Sequence, residues 1–296
     1  MASRAEAAGA AYPNKVRSHS IGERLVQGGL RIPLVLWAIA VLFPILWTIL
    51  AGFKSNGDIY ADPWGLPTTW NIQNFADAWT TGSIGHAFVN SAIVTVLGTL
   101  LTLLLAIPTS YALERVPFRG NRVLYNIYLA AMMIPQALGW IPLFMLLNTL
   151  HLLDSIWGLL LVYTATQIPF SIFILTGFMG TIPRELEEAA AVDGLSPLRT
   201  LWQVIAPLAM SGIITVAIMD AINYWNEYFM ALIFLQSPEH YTLGVGINYL
   251  AETAQYTNAW GTLFAGLTIA IVPVIVLYAI FQRRITEGLT EGAVKG

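Results

Sequence analysis

Apolar residues run in long unbroken blocks separated by short polar stretches, rather than alternating or marking one helical face. Six blocks are long enough, as helices, to cross a hydrocarbon layer, which takes roughly 20 residues. They are Ile32–Phe53, Ala87–Leu113, Tyr125–Leu147, Ser155–Met179, Ala209–Leu235 and Thr262–Phe281. A membrane barrel would show short alternating segments instead. The pattern therefore predicts an all-α membrane protein with six transmembrane helices. Prolines lie inside or at the edge of every block (Pro33, Pro44, Pro108, Pro135, Pro142, Pro169, Pro207 and Pro273), and each removes a backbone donor and can kink its helix.

Composition sharpens this picture. Hydrophobic residues make up 56% of the chain and charged ones 10%, against about 25% charged in soluble domains. The balance of 14 Lys and Arg against 17 Asp and Glu gives no footprint for nucleic acid. Without cysteine there is no disulfide, thiolate catalysis or thiolate metal site. His19, His86, His151 and His240 are dispersed without metal-ligand spacing, so no metal is expected. The polar first thirty residues lack the early apolar core of a cleaved signal peptide, which keeps the first span in the mature chain.

Charge sets the orientation. Every cation except Lys54 falls before the first span, between spans two and three (Arg115, Arg119, Arg122), between spans four and five (Arg184, Arg199) or after span six. Positive residues mark the cytoplasmic side, so both termini should be cytoplasmic. The connections Lys54–His86 and Gln236–Gly261 then face outward. They carry Trp64, Trp70, Trp79 and Tyr241, which suit either packed caps and partner surfaces or an aromatic belt at the interface.

The cytoplasmic connection 181–207 is longer than a bare connector requires. Its core reads EEAAAVDGLSPLRT. Pro183 suits a first helical position, and Glu185, Glu187 and Glu188 complement the positive end of that helix. Three alanines favour helix and leave a slim surface. Gly194 can stop the helix in a left-handed conformation; Ser196 and Pro197 can start a second one running through Leu201 and Val204 to Pro207. On these grounds the segment reads either as a projecting docking element or as a surface connector.

The run EEAAAVDG, with Val204 and Pro207 further on, resembles the signature of inner-membrane permease subunits of binding-protein-dependent ABC importers. That signature is Glu-Ala-Ala, three residues, Gly, nine residues, an aliphatic residue, any residue, then Leu-Pro. Glu188, Ala189, Ala190, Gly194 and Pro207 match it, and Ala206 stands where Leu is usual. The stretch NYWNEYFMALIFL and the ending QRRITEGLTEGAVKG are similar to the carbohydrate branch, in particular the second permease of maltose-type importers. The resemblance implies the ABC type I importer permease fold, with Glu188, Ala189, Ala190, Gly194 and Pro207 coupling to an ATPase. It implies as partners a homologous second permease, two ATPase subunits, an extracytoplasmic solute-binding protein and a sugar, and a C-terminal tail reaching the ATPases. The expected layout is a cytoplasmic tail over 1–30, the first span and outer connection over 31–85, a transport domain over 86–285 and a second tail over 286–296.

Inside the blocks, Asp220 and Glu227 are the acids well within a span. On a continuous helix their spacing is close to two turns, which puts them on one face with Asn223 and Tyr224 between. Intramembrane acids face cavities or partners, so this stripe reads either as a substrate pathway for a hydroxyl-rich ligand or as interhelical hydrogen bonding. Gln167, with Tyr163 and Thr164 a turn earlier, reads as a helix–helix contact. No Walker loop is present, so ATP, needed as no cofactor of this chain, is expected on another subunit. No nucleophile and base pair within the bilayer, which leaves no catalytic residue to name. The competing class is a self-contained secondary transporter using Asp220 or Glu227 as a proton or cation site.

Overall fold

A computed structural model describes residues 21–293, with side chains over 31–282. Among these residues all regular structure is helical. In chain order the helices are α1 (Ile21–Ala51), α2 (Asn56–Ala61), α3 (Gln73–Trp79), α4 (Ile84–Arg115), α5 (Asn121–Met133), α6 (Trp140–Thr149) and α7 (Ile156–Gly180). They continue with α8 (Glu185–Val192), α9 (Pro197–Thr200), α10 (Ala206–Leu208), α11 (Met210–Asn226), α12 (Phe229–Phe234), α13 (Leu243–Thr257) and α14 (Trp260–Ala293). The chain divides into two compact units, Met1–Trp47 and Thr48–Gly296. In the first, α1 exposes Ile32, Leu36, Trp37 and Phe43, an apolar surface of the kind lipid requires.

Among the described residues four continuous stretches are long and apolar enough to cross a membrane: Arg31–Ala51, Ile84–Arg115, Ile156–Gly180 and Trp260–Gln282. Counting each of two bent pairs as one broken span brings the number to six. Asn121–Met133 meets Gln136–Thr149 at 97°, and Pro197–Leu208 meets Met210–Asn226 at 79°. The first bend has a local cause. Ile134 is extended (ψ 122°) because the ring of Pro135 disfavours a helical residue before it.

The fifth block departs from the single helix expected over Ala209–Leu235. Helix α11 ends at Asn226, and Glu227 is extended (ψ 132°). The Glu227 carboxylate accepts from the backbone N–H of Met230 (2.7 Å) and Ala231 (3.1 Å), which start α12 and have no intrahelical acceptor. A carboxylate at a helix start also favours the dipole, so Glu227 organises a break rather than extending the helix.

Three apolar clusters order the second unit. At the end carrying segment 181–207, Ile107 and Tyr111 of α4 and Leu175 and Met179 of α7 enclose Leu201 and Ile205. At the opposite end Val94, Leu159, Tyr163, Tyr224 and Phe234 pack together, and a third cluster joins Ile84, Leu250 and Leu263. The connections between spans one and two and between five and six hold α2, α3 and α13. Lys54, expected as a lone outer cation, is 1% exposed and donates to the carbonyls of Asp62 (2.8 Å) and Pro63 (3.1 Å). Trp64 and Trp70 are exposed. Helix starts at Ile21 and continues to Ala293, so part of each expected tail is helical, while 1–20 and 294–296 lie outside the described residues.

Candidate functional site

Segment 181–207 folds as helix, corner and helix. Helix α8 begins at Glu185, two residues after Pro183, with Glu185, Glu187 and Glu188 in its first turn. Gly194 has φ +81°, the left-handed region that a Cβ disfavours. Around it the Leu195 N–H donates to Ala190 O (2.9 Å) and the Gly194 N–H to Ala191 O (3.0 Å), the paired bonds of a Schellman stop. The expected Ser196 side-chain cap is absent; Pro197 opens α9, and the Thr200 hydroxyl donates to Ser196 O at 3.1 Å. A π turn over Leu201–Ile205 then follows, rather than a continuous α-helix, and sinks Leu201 and Ile205 into the core.

Glu188, Ala189, Gly194 and Pro207 lie on the surface of this element, whereas Ala190 is 4% exposed and turned inward. The most exposed apolar side chains are Val192 (88%) and Leu198 (64%), one on each side of the corner. Neither stands out in the sequence, because their exposure depends on how the segment packs around Leu201 and Ile205.

The polar stripe separates into different environments. Asp220 is fully buried and accepts from Gln167 Nε2 (2.8 Å) and Ser171 Oγ (3.0 Å), both on α7. Asn223 Nδ2 donates to Gln167 Oε1 at 2.9 Å. Tyr224 turns towards α4: its ring lies where a Cβ on Gly98 would be 3.0 Å away, its hydroxyl is 2.7 Å from Thr102 Oγ1, and it donates to Tyr163 O at 3.2 Å. The rings of Tyr163 and Tyr224 stack with centroids 5.4 Å apart, and the Tyr163 hydroxyl donates to Glu227. Glu227, outside α11, thus leaves the face expected from helical spacing.

A cleft of 540 Å³ opens in the bend between α5 and α6. Ile134, Pro135 and Gln136 form one wall; Thr166, Gln167 and Phe170 of α7, with Met219 and Asn223 of α11, form the other. Of the four predicted pathway residues, Asn223 reaches this lining. Among the described residues no charged side chain lines it, so its polar chemistry consists of amides and a hydroxyl beside apolar walls. The helix–helix contact expected of Gln167 is present, and Ser171, which the sequence does not single out, shares its acceptor. The signal was a one-turn spacing on α7, which aims both at one acceptor on the neighbouring helix.

Residues 106–290 match the family described as binding-protein-dependent transport system inner membrane component. The chain belongs to this family. The transport-system match runs from within α4 into α14 and covers α5 through α13 entirely, including segment 181–207 and the Asp220 cluster. Among curated relatives, the diacetylchitobiose uptake system permease protein NgcG of Streptomyces coelicolor is 36% identical over 88% of this chain and 87% of its own. The probable starch degradation products transport system permease protein AmyC of Thermoanaerobacterium thermosulfurigenes is 31% identical over 87% and 95%. A bacterial ABC transporter involved in import of the acidic polysaccharide alginate contains a chain of the same fold. It has a TM-score of 0.78 and 26% identity over 90% of this chain and 98% of its own.

Proposed function

We propose that this chain is the permease subunit of an ATP-driven importer of saccharides or polyols. The observation that carries the reading is the surface element around Gly194: the family motif stands on a projecting helical corner whose outer face is small, apolar and acidic. Glu188, Ala189, Gly194 and Pro207 present this face to an ATPase subunit, Val192 and Leu198 supply apolar contact, and Ala190 holds α8 against the rest of the segment. A homologous second permease, two ATPases and an extracytoplasmic solute-binding protein complete the assembly. ATP is bound by the ATPases, not by this chain. The element and both termini face the cytoplasm, as the Lys and Arg distribution favours.

For the solute, the uncharged cleft offers Gln167, Asn223 and Thr166 for hydroxyl groups and Phe170 as an apolar platform. Asp220 acts behind this wall by fixing the Gln167 amide; Tyr224 and Glu227 hold α11, α4 and α12 in register. An ion-coupled mechanism would need a carboxylate open to the pathway, and both acids instead have their oxygens engaged by donors of this chain. Affinity purification of the tagged chain from membranes should recover ATPase and permease partners, and ligand screening of the binding protein should select a saccharide. Recovery of a chain that transports alone would refute the assignment.

A further inference from the structure

Arg115 ends α4, and its place in the sequence puts it among solvent-side cations. Its side chain is instead 2% exposed. Nη2 donates to the carbonyl of Met179 and to that of Ile182 (2.6 Å), while Nε lies 3.4 Å from Glu187 Oε1. The two carbonyls belong to the end of α7 and the turn after it, where acceptors lack intrahelical donors and positive charge is favoured. Glu187 belongs to α8 and is turned inward, with 20% of its side chain exposed. One guanidinium therefore joins the ends of α4 and α7 to α8.

The link is demanding. Arg115 Nε and Glu187 Oε1 are both buried without a hydrogen bond, so each of these two atoms has the other as its charged neighbour. Separating them would leave the buried guanidinium with its two carbonyl acceptors but without this counter-charge, which favours motions in which α8, α4 and α7 move together. Helix α7 carries Gln167 and Phe170 of the cleft wall, and α4 carries Thr102 against Tyr224.

We propose that the Arg115–Glu187 pair is the strut through which displacement of α8 moves α4 and α7, carrying ATP-dependent motion at segment 181–207 to the cleft. This rests on the reading of that segment as the ATPase-docking element. Both residues act by positioning, since neither faces the cleft.

The test uses the whole assembly in liposomes, with solute uptake and ATP hydrolysis measured on the same sample. Glu187→Gln keeps the shape of the side chain and removes its charge; Arg115→Lys keeps the charge and loses the fork. Both variants should co-purify with the ATPases and hydrolyse ATP, while solute imported per ATP falls about tenfold, within the range for linked sites. Wild-type import per ATP in assembled variants would overturn the proposal. Failure of both variants to retain the ATPases would also overturn it, since the pair would then only shape the docking surface. If the wild-type chain itself recruits no ATPase, the docking reading fails instead.

Discussion

Gln167 donates to Asp220 at 2.8 Å inside the bundle while its oxygen accepts from Asn223 at 2.9 Å. A buried carboxylate is thereby connected, through one amide, to the wall of the cleft. The direction of each bond fixes which atom of Gln167 faces which neighbour, so Asp220 is joined to the cleft wall through that amide without lining it.

Replacing Asp220 separates this role from proton carriage. In Asp220→Asn an oxygen still accepts from Gln167 and the new amide can donate to a reoriented Ser171 hydroxyl, so uptake should persist with a stability loss of about 1 kcal/mol. Asp220→Leu leaves the Gln167 donor unpaired, at roughly 1–3 kcal/mol, and frees the Gln167 amide, while the Ser171 hydroxyl keeps the Gln167 carbonyl as acceptor. Its half-saturating solute concentration should rise. Thermal melting and uptake kinetics check both; abolished uptake in folded Asp220→Asn would point to a titrating carboxylate.

Gly98 on α4 admits the Tyr224 ring. A Cβ there would sit 3.0 Å from Tyr224 Cε2, and the branches of Gly98→Val come closer still. The ring must then shift away from Thr102, with an overpacking cost of about 1–3 kcal/mol. Melting of the purified variant in detergent should fall accordingly, and unchanged melting would show that the ring has room to retreat.

Much of this architecture is legible in the sequence, because a membrane solvent leaves long apolar blocks as a direct record of the spans. The helical corner at Gly194 is legible for the same kind of reason: three alanines, a glycine and a proline each dictate local backbone geometry. What escapes is what depends on distant partners. Glu227 looks like part of a helical stripe until its carboxylate is found capping α12. Arg115 looks solvated until the end of α7 supplies two carbonyls and α8 a carboxylate.

Gly194 is expected to tolerate substitution by backbone preference rather than by volume, since a Cβ there meets nothing within 4 Å. Asn adopts positive φ more readily than other residues, whereas a β-branched side chain strains it by about 1–2 kcal/mol. Gly194→Asn should therefore retain most ATPase association and Gly194→Val should lose much of it, with membrane insertion intact in both. Equal binding by the two variants, measured by co-purification, would detach the corner's geometry from docking.

Asp154, in the turn between α6 and α7, provides a pH signature. Burial raises its pKa, but donors from the Ser237 side chain, the Ser237 and Gln236 backbone and His240 outweigh this and bring it from 3.8 to about 2. A carboxyl depressed in the folded state stabilises it above the unfolded pKa, and that contribution disappears as pH falls through the folded one. The stabilisation, about 1 kcal/mol once solvent screening at this turn is allowed for, is thus complete above about pH 4 and lost towards pH 2. Asp154→Asn should lower the melting temperature at pH 6 and flatten its fall between pH 4 and pH 2.

The energy source tests the account most directly. The chain is reconstituted into liposomes with its co-purifying partners and binding protein, and labelled solute uptake is followed with ATP in the compartment holding the ATPases or with an imposed ion gradient. Uptake that requires ATP, the ATPases and the binding protein, and ignores the gradient, is the predicted result. Gradient-driven uptake by this chain without an ATPase would contradict it.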